Sequence, residues 1–149
     1  MRWLWILLLA PTIAFAGVGS IEHNEGRTWN ERQSKTENID LGYDVLMDDF
    51  FQTGEDGQIG IIFADETSVT VIENSELLID SFVYDAETAE GGLSFSVAVG
   101  SFRYVSGALA ASNAGAVSIT TPSATITVRG TTLTGNVTPS GATRCDVTC

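Results

Sequence analysis

The residues of this chain that could carry out chemistry are few and far apart in sequence. His23 is the one histidine among the 149 residues, and it stands beside a turn near the beginning of the chain. A Ser–His–Asp triad would have to use it, and a single histidine in such a place is more often a solvated side chain. The two cysteines, Cys145 and Cys149, are too few for a metal site without a nearby histidine. We therefore expect neither nucleophilic catalysis nor a bound metal or cofactor.

Carboxylates are more numerous, with 19 aspartates and glutamates, and two of them could act as an acid and a base in glycoside hydrolysis. Three pairs of adjacent acids fall within or beside turns, where solvated acids are common. Successive residues of a strand also point to opposite faces, so neighbours in sequence rarely share one site. We expect that the protein is not an enzyme. The adjacent pairs are Asp48-Asp49, Glu55-Asp56 and Asp65-Glu66.

Two loops offer oxygen ligands of the kind that calcium prefers, Thr53–Gly57 and Asp85–Glu90. Neither has the ligand spacing of a known calcium loop. Calcium therefore stays open only as an aid to an alternative function described below.

The beginning of the chain, residues 1–16, has the form of a secretory signal peptide. Arg2 gives a positive start, Trp3 to Ala10 is apolar, and Ala14-Phe15-Ala16 fits the small-x-small pattern of a cleavage site. The apolar stretch from Trp3 to Ala16 is 14 residues long, whereas a membrane-spanning helix needs about 20. We expect cleavage after Ala16, a periplasmic or secreted protein, and no membrane span in the mature chain.

The mature chain would be strongly acidic. Without Arg2 it keeps six basic and 19 acidic side chains, a net charge of −13. Such a surface repels nucleic acid and anionic lipid, and the basic residues form no patch that would override the repulsion. Export also favours a disulfide between Cys145 and Cys149 over free thiols, although so small a loop would stabilise the fold little.

Apolar residues alternate with small polar ones from Ile59 to Arg129, which is the period of β-strands with one buried face. The clearest run is Leu93 to Val99, and Gly100 lets it continue or bulge. Turns recur about every ten residues, as in sandwiches, barrels and solenoids. We expect an all-β, single domain of short, mostly antiparallel strands over residues 17–133, built as packed sheets or a short twisted solenoid. Residues 134–149, which include the cysteine pair, are predicted to be a loosely held tail.

Three local arrangements are predicted in more detail. Asn24 to Gly26 should turn the first strand into a hairpin with the next one, which Trp29 anchors. The three strands within residues 58–84 should form a meander. In the third of them, Val83 should share a face with Ile79.

A series of short motifs runs through residues 41–131. The first of them are Leu41-Gly42, Asp49, Thr53-Gly54, Ile59 to Phe63, Asp65 with Thr67-Ser68, Asn74-Ser75-Glu76 and Val99-Gly100-Ser101-Phe102-Arg103. The closing motif is the most specific: Thr121-Pro122 is followed by Arg129-Gly130-Thr131. In these residues and in their order, the segment resembles a known bacterial module, the FecR-type domain.

The resemblance implies an all-β, non-enzymatic domain outside the cytoplasm that senses a signal or binds an envelope protein partner. Family members that control sigma factors add a cytoplasmic segment, a transmembrane helix and a further C-terminal region. This chain has the expected signal peptide in place of a cytoplasmic segment. It has no later apolar stretch that could form a transmembrane helix, and only a short tail follows Thr131. The expectation is a free-standing periplasmic or secreted FecR-like protein, with its partner unidentified.

The closing motif, which consists of Thr121, Pro122, Arg129, Gly130 and Thr131, is expected to be structural rather than a binding site. Gly130 indicates a tight bend. Arg129 should form a buried or half-buried ion pair, because an unpaired buried arginine is costly.

One alternative function comes from the residues themselves: a structural or carbohydrate-binding envelope protein, assisted by calcium. Carbohydrate binding would require a cluster of exposed aromatic side chains on one sheet face. The candidates are Trp29, Tyr43 and Tyr104.

Overall fold

A computed structural model of the chain describes residues 17–130 and 132–148. The expected signal peptide, Thr131 and Cys149 lie outside the described residues. Within the described residues, no helix is long and apolar enough to cross a membrane.

The described residues form thirteen β-strands and one short helix, which confirms the predicted all-β single domain. The strands are β1 (Gly19–Glu25), β2 (Thr28–Arg32), β3 (Lys35–Asn38), β4 (Asp44–Val45), β5 (Phe50–Thr53), β6 (Gln58–Phe63), β7 (Ser68–Val71), β8 (Glu76–Asp85), β9 (Glu90–Val105), β10 (Val117–Thr120), β11 (Thr125–Val128), β12 (Thr132–Val137) and β13 (Thr143–Thr148), and the helix is α1 (Ala108–Ser112).

The strands form one curled assembly in which β9 belongs to two sheets. Sheet A has the order β4-β1-β6-β7-β9-β12-β13. Sheet B has the order β3-β2-β5-β8-β9-β10-β11. The strand β10 lies parallel to β9, and every other strand pair of the described residues is antiparallel.

The strand β9 passes from sheet B to sheet A at Gly100. Residues 90–99 pair with β8, and residues 100–105 pair with β12. Gly100 has a φ of +105°, and a Cβ placed on it would lie 2.0 Å from the Ser75 hydroxyl oxygen. Only glycine fits at this bend. Gly100 therefore allows the strand that contains Leu93 to bend and continue without a break.

A single core fills the space between the inner faces of the two sheets. Its aromatic centre is Phe95, whose ring lies 6.4 Å from that of Tyr104 and 6.5 Å from that of Phe102. The core residues are Ile21, Ile39, Val45, Phe51, Ile59, Ile61, Phe63, Val69, Val71, Leu77, Ile79, Phe82, Leu93, Phe95, Val97, Phe102, Tyr104, Leu109, Ala110, Val117, Ile119, Val128, Leu133 and Val137.

The predicted first hairpin is wrong, because β1 and β2 lie in different sheets. The turn between them does exist, with Gly26 at a φ of +66°, but it carries the chain across the core. A Cβ on Gly26 would lie 1.9 Å from the carbonyl oxygen of Asp56. The turn therefore packs against the 54–57 turn, and this contact between distant turns could not be read from local sequence.

The predicted meander is half correct. The strands β6 and β7 pair, but β8 lies in sheet B between β5 and β9. Within β8 the register shifts between Ile79 and Ser81, so Phe82 is buried and Val83 is 67% exposed. A bulge inverts the alternation after it, which is why Val83 does not share the buried face with Ile79.

The predicted loose tail is also wrong. Residues 132–137 pair with β9, and residues 143–148 pair with residues 132–137. Leu133 and Val137 are buried in the core. The hairpin closes with Gly141 at a φ of +89°, and the Thr138 amide donates to the Ala142 carbonyl at 2.9 Å. Although this segment has few apolar residues, they are sufficient to pack β12 against the core, and the β12–β13 hairpin forms one edge of sheet A.

Candidate functional site

Asp49 forms a buried ion pair with Arg32. The Arg32 guanidinium donates to both carboxylate oxygens at 2.7 Å, and the Leu46 amide donates to one of them at 2.8 Å. Asp49 is fully buried, whereas the Arg32 side chain is 25% exposed and also stacks over the Tyr43 ring at 5.0 Å. The carboxylate raises the pKa of Arg32 above its ordinary value. Asp49 therefore joins β2 to the segment before β5 and is not free for acid–base chemistry.

Asp65 plays a similar structural role at the other end of the core. Its carboxylate accepts hydrogen bonds from the Thr67 amide at 3.0 Å, the Thr67 hydroxyl at 2.6 Å and the Leu109 amide at 3.2 Å. Asp65 is buried, and it thereby ties α1 to the β6–β7 turn. These three hydrogen bonds satisfy the buried carboxylate and give Asp65 a structural role.

Thr53 and Ser75 join the two sheets at a third place. The Thr53 hydroxyl donates to the Ile72 carbonyl at 2.6 Å and accepts from the Ser75 amide at 2.9 Å. The Ser75 hydroxyl in turn lies 3.4 Å from the Ser101 carbonyl oxygen. The chain leaves sheet A after β7 at this point, so these motifs mark a crossing between the sheets.

The closing motif is divided between two environments. Thr121 is buried, and its hydroxyl lies 2.6 Å from that of Thr143, so it links the β10–β11 turn to the β12–β13 hairpin. Pro122 contacts the same hairpin near Gly141. Arg129 and Gly130 are exposed, and no ion pair of the described residues includes Arg129. The described residues therefore do not form the expected buried or half-buried ion pair of Arg129, because its side chain lies in solvent.

Two carboxylates of the loops that the sequence suggested for calcium, those of Asp56 and Asp85, accept hydrogen bonds from protein groups. Asp56 accepts hydrogen bonds from the Arg27 backbone and side chain at 3.2 and 3.3 Å. These bonds lower the pKa of Asp56. Asp85 accepts from the amide of Glu87, two residues later in its own turn. Across the described ranges, no group of three or more potential protein ligands could hold a metal ion.

The three aromatic candidates for carbohydrate binding do not form an exposed cluster. Tyr104 is fully buried in the core. The half-buried Trp29 donates to Gln52 at 2.6 Å, and the half-buried Tyr43 donates to Glu37 and accepts from Asn30 at 3.0 Å. Their polar ends are thus already bonded within sheet B and its neighbouring loop.

A groove of about 510 Å³ lies on the outer face of sheet A and is lined mostly by polar residues. Its floor crosses five strands, because Thr70, Arg103, Thr134 and Asp146 lie side by side on β7, β9, β12 and β13, and Gln58 reaches it from β6. We call this cavity the sheet A groove. It is lined by Gln58, Thr70, Ile72, Ser101, Phe102, Arg103, Thr134, Gly135, Asn136, Arg144 and Asp146.

The sheet A groove holds one arginine without an ion-pair partner among the described residues, one arginine–aspartate pair and several hydrogen-bonding groups. Arg103 is exposed, and the ion pairs of residues 17–130 and 132–148 do not include it. Arg144 lies 3.8 Å from Asp146, and both are largely exposed. Asn136 donates to the Ser101 hydroxyl at 2.7 Å. Guanidinium, hydroxyl and amide groups bind carboxylates and peptide groups well, and the groove brings no two carboxylates together for hydrolysis.

Sequence reasoning missed this groove. The residues Thr134, Asn136 and Arg144 belong to the segment predicted as a tail, and Arg103 was noted only within a motif. The signal that could have found the groove is the alternation of polar residues along residues 132–148, which places Asn136 and Thr134 on one face.

A family model described as FecR protein matches residues 49–149, more than half of the chain. The chain belongs to the FecR family. The match begins at Asp49, so Leu41-Gly42 lies outside it, and it extends through β12 and β13 to the end of the sequence. The hairpin that lines the groove is thus part of the FecR domain. Neither a curated protein nor a solved structure matches the chain.

Proposed function

We propose that this FecR-type protein is an exported, non-enzymatic interaction module that binds an acidic segment of an envelope protein in the sheet A groove. The family suggests envelope signalling or sigma-factor regulation. The sequence from Met1 to Ala16 supports export, and the family supports a regulatory rather than a catalytic role.

The observation that carries the proposal is the position of Arg103. It lies in the middle of the groove floor, between Thr70 and Thr134 on the neighbouring strands, with no carboxylate partner among the described residues. The chain as a whole carries a charge of −12, so an uncompensated arginine in a cavity is a local exception. An acidic side chain or carboxylate of a partner would complete its hydrogen bonds.

A photocrosslinking experiment tests whether a protein occupies the groove. A photoreactive residue replaces Thr134 in the groove or, as the matched control, the exposed Thr125 on β11 of sheet B. Living cells that contain the protein are irradiated, and the crosslinked adducts are identified by mass spectrometry. The proposal predicts one discrete protein adduct from Thr134 and none of it from Thr125. Polysaccharide adducts from Thr134 would instead support the structural or carbohydrate-binding alternative.

Affinity for the captured partner then tests the role of the charge. Arg103→Ala should weaken binding by roughly tenfold or more, because a charge-assisted pair is lost. Arg129→Ala removes an exposed arginine outside the groove, and its affinity should stay within about twofold of the parent. Equal losses in both variants would mean that general charge, and not the groove, attracts the partner.

A further inference from the structure

The strand β13 is an open edge of sheet A. It pairs with β12 on one side, and the described residues place no strand on its other side. The side chains of β13 are also exposed on both faces of the sheet: Val147 is 60% exposed on the inner face, and the Arg144 and Asp146 side chains are 84% and 73% exposed on the outer face. Unprotected edges of this kind pair readily with another strand, and β13 has no proline or bulge to prevent it.

The direction of the free hydrogen-bonding groups follows from the β12–β13 hairpin. The Thr138 amide donates to the Ala142 carbonyl, so residues two, four and six positions further along β13 also bond to β12. Those residues are Arg144, Asp146 and Thr148. Thr143, Cys145 and Val147 therefore direct their N–H and C=O groups to the open side.

A second copy of the chain is complementary to this edge. If two β13 strands pair about a two-fold axis perpendicular to the sheet, one residue of each copy must lie opposite itself. With Cys145 at the axis, Thr143 faces Val147 of the other copy, and about six hydrogen bonds form between the outward groups. In the same register Arg144 faces Asp146 of the other copy, twice, at the closely spaced non-hydrogen-bonded positions.

The neighbouring registers are unfavourable by charge. An axis at Arg144 would place two guanidinium groups opposite each other, and an axis at Asp146 would oppose two carboxylates. Like charges at such positions destabilise strand pairing, and opposite charges stabilise it. The order of charges along β13 thus selects one register.

We propose that the protein forms a two-fold symmetric homodimer through antiparallel pairing of β13 with β13, with Cys145 at the axis. The dimer joins the two A sheets into one and places the two grooves side by side on its outer face. On the inner face it covers Val147. The interface is small, so the association is weak, with a dissociation constant in the micromolar range or above.

A charge exchange on β13 tests the register. Sedimentation equilibrium of the exported, processed protein, from about 1 µM to about 1 mM, measures the dimer constant over the range expected for a small interface. Arg144→Asp turns both attractive contacts into repulsive ones and should weaken the dimer by roughly tenfold or more. The exchange variant Arg144→Asp with Asp146→Arg restores both contacts, and its constant should return to within about threefold of the parent.

A backbone substitution tests the pairing without altering charge. Val147→Pro removes an outward N–H that β12 does not use, so the monomer keeps its fold while the dimer is lost. Val147→Thr keeps that N–H and is the matched control, which should remain dimeric. Circular dichroism and the unfolding midpoint show whether the proline variant is folded. If the proline variant unfolds, the charge-exchange pair still decides the question.

Cysteine crosslinking tests the position of the axis. The two Cys145 Cα atoms would lie about 5.5 Å apart, within the span that a disulfide bridges. In a Cys149→Ser background, Cu(II)-phenanthroline should accept one electron from each Cys145 thiol, with loss of both protons, and give a covalent dimer. Adding Arg144→Asp to this background should reduce the yield of the covalent dimer, because the two strands then repel each other.

Three results would overturn the proposal: a monomer up to about 1 mM, a dimer that Arg144→Asp and Val147→Pro leave unchanged, or failure of the exchange variant to recover. The outcome is separable from partner binding, because Arg103 is not on the edge. Arg103→Ala should leave the dissociation constant of the dimer unchanged while it weakens binding of the envelope protein partner.

Discussion

Removing Asp49 should destabilise the fold strongly, but less than removing its partner Arg32. Asp49→Ala leaves the guanidinium 25% exposed and still bonded to the Asp44 carbonyl at 2.9 Å, with Glu37 at 3.7 Å. Arg32→Met instead leaves a fully buried carboxylate with one remaining donor, the Leu46 amide. The two single variants therefore differ in which charge they leave behind.

The size of each loss follows from that difference. Breaking a buried ion pair from one side costs about 3 to 5 kcal/mol, and a hydrogen bond to a charged group contributes about 1.5 to 3 kcal/mol. We expect about 3 kcal/mol for Asp49→Ala and about 4 to 5 kcal/mol for Arg32→Met. The double variant Arg32→Met with Asp49→Leu has no buried charge left and should recover to within about 2 kcal/mol of the parent.

Urea unfolding, followed both by far-ultraviolet circular dichroism and by fluorescence of Trp29 on β2, measures these free energies. Coincident transitions would show that the two probes report one event. The reasoning is refuted if Asp49→Ala costs less than about 1 kcal/mol, as for a surface pair. It is also refuted if Asp49→Ala is the more damaging single change, or if the double variant is no better than Arg32→Met.

Three further predictions concern other parts of the domain. Burial raises the pKa of Tyr104 from 10.0 to about 12; the fold favours the neutral phenol, so this stabilisation, roughly 2 to 3 kcal/mol, is complete below pH 10 and is lost as the pH rises through 12. Tyr104→Phe should unfold with a smaller dependence on pH over that range, and an unchanged dependence would assign it to another group. A Cβ on Gly135 would lie 2.4 Å from the Phe102 ring, so Gly135→Ala should cost about 1 to 3 kcal/mol, and the same change combined with Phe102→Leu should cost less than the two single losses added; strict additivity would contradict the contact. Finally, Cys145 and Thr148 lie about 10 Å apart along β13, whereas a disulfide needs Cα atoms within about 7 Å, so a Cys145–Cys149 disulfide requires the chain to turn back at Thr148. Oxidation to this disulfide should therefore speed hydrogen exchange at the Thr148 amide, and unchanged protection there would contradict this.

The period of alternation was enough to predict the strands but not their partners. Leu93 to Val99 alternates because one face is buried, and this local property is visible in the sequence. That β9 then joins both sheets depends on Gly100 fitting against Ser75, which precedes β8, and no local pattern contains that contact. The same limit explains the turn at Gly26, which packs on the distant turn that precedes β6.

The groove was harder to predict than the fold. Arg103 and Arg144 come together because β9, β12 and β13 are adjacent, and β12 offers only Leu133 and Val137 to the core. So few apolar residues predicted a loose tail by composition, yet pairing with β9 was sufficient to order them. The motif residues Asp49, Asp65 and Thr53 were found by sequence, and the structure gives them buried structural roles.

The position of β9 in both sheets has a consequence for the timing of folding. Neither sheet is complete until β9 has its neighbours from both sides of the sequence, β7 and β8 before it and β10 and β12 after it. The chain is synthesised from its N-terminus, so it cannot assemble the core until Val137, at the end of β12, has been made. Contacts between residues so far apart in sequence also form slowly. We therefore expect the nascent chain to remain unfolded until nearly all of it has been made, so that the export proposed above would act on a chain that has not yet folded.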